Sequence, residues 1–190
     1  MIVNWVELAD QLGSIRDNGG EWCDTDLASR ALEALVGEDN IRAAVNLVVS
    51  NDPGRLLAQY VLVRMQSPIA AEMAYDIYQT SDDRSRAYWA AHLIAVIGHP
   101  RAFAWIPAFL SDDGDNVAHL GMNLLDGLLS SAGVDLDPRE VERLLMIAER
   151  HRSAEVRRRA VASRALLLPG PQADRDERYQ QILTADQDMS

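Results

Sequence analysis

The chain has 190 residues, 48% of them hydrophobic, with one cysteine, no lysine and a formal net charge of −11. That size and apolar share suit one well-buried core and argue against disorder over most of the chain. A lone thiol excludes an internal disulfide and a cysteine-based metal cage, and the acidic balance disfavours DNA or RNA as a direct ligand, since phosphate would be repelled.

The first helix is carried by Ile2, Trp5, Val6, Ala9 and Leu12 and stops at Gly13. Glu7 and Asp10 within it, and the lack of a basic start, speak against a signal peptide. No apolar run approaches the ~18 residues of a membrane span. A soluble, cytoplasmic protein is therefore expected. After a polar segment over 14–21, Asp24 or Thr25 opens a second helix through Leu27, Ala31, Leu32 and Leu35, and Asp39 or Asn40 a third with Ile41, Ala44, Val45 and Val48. Asp52-Pro53 supplies a cap and first-turn proline before Leu56, Leu57, Tyr60, Val61 and Val63. Ser67-Pro68 breaks that helix and opens the next, with Ile69, Met73, Ile77 and Tyr78.

A helix from Asp83 to Ile97 follows, then a break at Gly98-His99-Pro100 and a segment from Arg101 to Leu110, expected to bend at Pro107. Further helices are expected over Asp115 to about Leu129, after Asp137-Pro138, and from Ser153 to Leu168. Pro169-Gly170-Pro171 ends the array, and Asp174 to Leu183 can form one short helix. No alternating run bounded by hairpin turns occurs. Residues 1–168 are read as a single domain of about ten helices, and 169–190 as a C-terminal extension.

The turns recur. Ser50-Asn51-Asp52-Pro53, Thr80-Ser81-Asp82-Asp83 and Ser111-Asp112-Asp113 lie about thirty residues apart, each opening a new apolar helix. Ser153-Ala154-Glu155-Val156-Arg157-Arg158-Arg159-Ala160-Val161-Ala162 resembles the HEAT or armadillo-like signature, with glutamate where the turn aspartate would stand. Asp83-Arg84-Ser85-Arg86 with Trp89-Ala90-Ala91 matches it more loosely, and Asp52-Pro53-Gly54-Arg55-Leu56 keeps only the turn. The resemblance spans about residues 38–168 and implies an all-α, α-α superhelix: a HEAT-like solenoid whose second helices line a concave side. Such stacks serve mostly as protein-binding scaffolds. Two enzyme groups are similar at the level of fold, alkyl-base DNA glycosylases and bilin lyases of phycobilisomes.

Candidate contacts fall into two sets. Asp83, Asp113 and Asp115 are carboxylates beyond the single one that capping a turn requires, and they suit a basic partner. Arg84, Tyr88 and His92 on one helix, and Asn116, His119, Asn123 and Asp126 on another, are spaced as polar ridges away from the packing stripe. Tyr88, His92, His119 and Asn123 are taken from them as adaptable contact residues. Trp5 and Trp105 look like core, Trp22 like an exposed anchor and Cys23 like an inert thiol, while Trp89 suits either core or groove.

No histidine pair has zinc-helix spacing, so neither metal nor cofactor is expected. Arg150, Arg152, Arg157, Arg158 and Arg159 form the only basic cluster, read as a solvated face paired with Glu149 and Glu155. The reading is a non-catalytic scaffold for a protein partner of basic character, in its most specific form an immunity or antitoxin-type protein that blocks a toxin domain. The alternatives are a regulatory adaptor, or an enzyme of the lyase or glycosylase type on the same scaffold. Oligomeric state is left open.

Overall fold

A computed structural model of the chain describes residues 4–13, 25–131, 134–167 and 171–185. Among them all regular structure is helical: eleven α-helices and two 3₁₀ segments. The expected all-α class is therefore found. No described helix is long and apolar enough to cross a membrane. Trp22 and Cys23 lie outside the described residues. The chain forms two compact units, Met1–Leu93 and Ile94–Ser190.

The first unit holds α1 (Trp5–Leu12), α2 (Thr25–Val36), α3 (Glu38–Val49), α4 (Arg55–Met65), α5 (Pro68–Thr80) and α6 (Arg84–Ile97) as far as Leu93. Helix α1 starts where the Asn4 side chain accepts from the Glu7 N–H and ends at Gly13, whose left-handed backbone lets its N–H reach the Ala9 and Asp10 carbonyls. Helix α3 begins one residue before the expected start, at Glu38. Asn40 instead donates its side chain to the Val36 carbonyl, closing the end of α2 (2.7 Å). Ile41, Val45, Val48 and Val49 form its buried stripe at helical spacing. Helix α5 buries the small residues Ala70, Ala71 and Ala74, and α3 packs on α2, α4 and α5.

The α4–α5 corner follows the sequence closely. Gln66 turns left-handed, Ser67 accepts from the Ala70 N–H (3.0 Å) and Pro68 takes the first turn. Ser67 also donates its hydroxyl to the buried Glu33 carboxylate, which accepts from the Ile69 N–H as well (3.1 Å). A carboxylate at a helix start is favoured by the exposed N–H groups and the helix dipole. Helix α4 itself departs from expectation at its start. Asp52 does not cap it; Gly54, with φ of 92°, precedes the helix without any side-chain cap.

In the second unit, the segment after Gly98 is a 3₁₀ helix over Pro100–Trp105 followed by α7 (Ile106–Leu110). The change of geometry falls before Pro107, which sits in the first turn of α7 where its missing N–H costs nothing. Then come α8 (Asp115–Ser130), α9 (Pro138–Glu149), α10 (Ala154–Ser163), a 3₁₀ turn over Arg164–Leu167, and α11 (Gln172–Ala185). Asp137 caps α9 as its sequence implies, accepting from the Arg139 N–H at 2.9 Å. Helix α8 is the central element, with Ala118, Met122, Leu124, Leu125 and Leu128 fully buried. It packs on α7 and α10. Gly121 permits the close approach to α7, because a Cβ there would lie 3.0 Å from Phe109 Cβ. Helix α11 is longer than the sequence suggests and is held by Tyr179, Ile182 and Leu183 against Ala162, Ala165 and Leu166.

Candidate functional site

The first unit gathers Tyr88 and His92 of α6 with Trp89 and with Arg55 of α4. Tyr88 and Trp89 meet edge to face with centroids 5.5 Å apart, and Trp89 and His92 do the same at 5.4 Å. The Arg55 guanidinium lies over the Trp89 ring, 4.6 Å from its centroid. All four residues are half-buried. Tyr88, Trp89 and His92 are held in place by one another, so a contact with them costs little further ordering. Asp83 does not join them as a free charge. Its carboxylate caps α6, accepting from the N–H groups of Ser85 (2.8 Å) and Arg86 (3.3 Å).

Burial, and then the positive charge of Arg55, push the His92 imidazole below its usual range. His151 in the second unit is likewise depressed, chiefly by burial, with Asp115 opposing. A base depressed in the folded state binds its proton first in the unfolded chain. Stability from these histidines is therefore complete above about pH 6.5 and is lost as pH falls through their lowered values, below which the loss levels off. The melting temperature should fall as pH is lowered from about 7, with a shallower slope in His92→Gln. Equal slopes in thermal melts would contradict this.

In the second unit Asp113, Asp115, His119 and Asn123 fall at the start of α8 and along its first turns. Asp113 and Asn123 are exposed and His119 is half-buried. Asp115 accepts from Arg152 Nε at 3.0 Å, and Asp113 stands 3.9 Å from the same guanidinium. The carboxylates set apart as surplus thus already face an arginine one helix pair further on. The basic cluster is divided among several duties. Arg158 pairs with Glu155, Arg157 donates to the His151 and Arg152 carbonyls, and Glu149 is taken by Arg164 (2.5 Å), which also binds Glu142 (2.6 Å). These two carboxylates raise the Arg164 guanidinium and keep it charged.

Asp126 reverses the sequence reading. Placed there on an exposed ridge, it is 7% exposed in the structure. It accepts from Arg159 Nε (2.6 Å), from the Tyr179 hydroxyl (2.6 Å) and from the Ser163 hydroxyl. Burial, and then the bond to Asp126, push the Tyr179 phenol well above its usual range. This network joins α8, α10 and α11. Asp126, Ser163 and Tyr179 are buried and Arg159 is partly so, and the network ties three helices together, so it serves the fold.

The remaining surprise is α4. Leu56, Leu57, Tyr60 and Val61, the apolar residues that mark it as a helix, are 56%, 73%, 67% and 44% exposed, whereas Leu62 and Met65 are buried. Nearby α2 also leaves Leu32 and Leu35 exposed. Among the described residues no group of three or more His, Cys, Asp or Glu is placed to hold a metal ion. No protein-family model, curated protein or solved structure matches the chain.

Proposed function

We propose that the helices stack as a HEAT-like solenoid and that the chain acts by binding another protein through the first unit's aromatic cluster. The stacking reading is supported by contacts between helices two apart within each unit: α2 with α4, α3 with α5, α7 with α9 and α8 with α10. Contact of a helix with both its neighbour and the next but one is what a row of stacked pairs requires. Polar ties recur at similar separations along the chain: Glu33 to Ser67 at 34 residues, Asn46 to Arg86 at 40, Asp115 to Arg152 at 37 and Asp126 to Ser163 at 37. These separations match the period of a helical repeat.

The binding reading is carried by one observation, the half-exposed packing of Tyr88, Trp89 and His92 beside Arg55. Pre-set aromatic rings beside an arginine are the side chains that most often anchor an interface. The net charge of −11 supports a basic partner, of the kind an immunity or antitoxin-type protein would neutralise. Affinity capture from the native host, with wild type and Tyr88→Ala/His92→Ala in parallel, tests this reading. A protein retained by the wild type and lost by the variant is expected. Equal capture by both would place the contact elsewhere.

A further inference from the structure

We propose that the solvent face of α4 is a self-association surface, on which a second copy of this chain docks antiparallel about a two-fold axis. At about 100° per residue, positions 56, 57, 60, 61 and 64 share one side of the helix, opposite the buried Leu62. A surface helix ordinarily carries charge there. Here it carries three aliphatic side chains and a tyrosine, and only Arg64 is charged. Contiguous exposed apolar surface of this kind marks a contact site.

The charges at the two ends select the occupant. Exposed Arg64 stands at the C-terminal end of the face. At the other end Asp52 is exposed and lines one shallow concavity together with Leu56. Its ordered hydrogen bonds are made by its main chain, to the Leu47 carbonyl and from the Arg55 N–H, which leaves the carboxylate available. The strip thus runs from an acid, across an apolar middle, to a base. Turned about a two-fold axis through that middle, it offers each Asp52 the second copy's Arg64, twice over, and sets Tyr60 against Leu56. An isologous contact of this type needs one self-complementary patch and nothing else. One face of an 11-residue helix is smaller than a permanent interface requires, so the dimer should be reversible. Arg55 borders the same concavity, but it leaves α4 on the side opposite Leu57 and Tyr60 and lays its guanidinium over Trp89, so the apolar middle of the strip is distinct from the aromatic cluster.

Sedimentation velocity of the full chain over a roughly hundred-fold concentration range tests the proposal without any partner, so its failure is separate from that of the binding reading. A monomer–dimer equilibrium is expected. Leu57→Glu/Tyr60→Glu should be monomeric throughout with an unchanged helical spectrum, since both positions are exposed. Arg64→Asp alone should weaken the dimer by about tenfold or more, by setting like charges opposite each other. Asp52→Arg/Arg64→Asp should restore it. A wild type that stays monomeric, a dimer indifferent to Leu57→Glu/Tyr60→Glu, or a double exchange that fails to restore association would each overturn the proposal.

Discussion

Asp126→Ala should destabilise the second unit by about 3–5 kcal/mol, the usual cost of removing one partner from a buried ion pair. The aspartate satisfies three donors at once: Arg159, Tyr179 and Ser163. Its loss strands a largely buried guanidinium and a buried phenol, while Ser163 retains the Arg159 carbonyl at 2.8 Å. Tyr179→Phe removes one donor and leaves the charge pair standing, so about 1–2 kcal/mol is expected. Chemical denaturation followed by circular dichroism, with hydrogen exchange read at α8, α10 and α11, distinguishes the two. A loss below about 1 kcal/mol for Asp126→Ala would mean the network contributes little.

Gly121→Val should cost about 3 kcal/mol, near the upper end for overfilling a packed core. The added Cβ would lie 3.0 Å from Phe109 Cβ and 3.6 Å from Leu110 Cδ2. A Cβ follows its own backbone, so relief requires α7 to move away from α8. Gly121→Ala is the milder test, since a helix-propensity gain of about 1 kcal/mol opposes the same clash. Denaturation midpoints of both variants check this. If Gly121→Val were neutral, α7 would not be seated against α8 as closely as these distances require.

What could be read from the sequence was local chemistry. Ser67-Pro68 and Asp137-Pro138 do what their residue types dictate, because a cap and a first-turn proline act within one turn of chain. The buried stripes of α3 and α9 are legible for the same reason: their apolar residues recur at helical spacing within one helix. Helix α4 is apolar on both sides, so periodicity cannot say that Leu62 is covered and that Leu57 and Tyr60 face solvent. Its start was misread because Gly54 interposes a left-handed residue between Asp52 and the helix.

The polar residues show the same limit. Asp126 has ridge spacing, but its partners Arg159 and Tyr179 lie 33 and 53 residues away. Nothing local marks an aspartate whose charge is satisfied at that distance. Tyr88 and His92 were picked out for their adaptable side chains. Spacing alone suits Trp89 to core or groove, and nothing local marks Arg55, which reaches the indole from another helix.

In the proposed function a protein partner contacts the aromatic cluster of the first unit. Hydrogen-exchange mass spectrometry of the full chain, with and without the captured partner, measures this directly. Protection should concentrate in residues 84–93 and at the start of α4 around Arg55, and should be lost with Tyr88→Ala/His92→Ala. Protection confined to residues 94–190, with 84–93 unchanged, would contradict it.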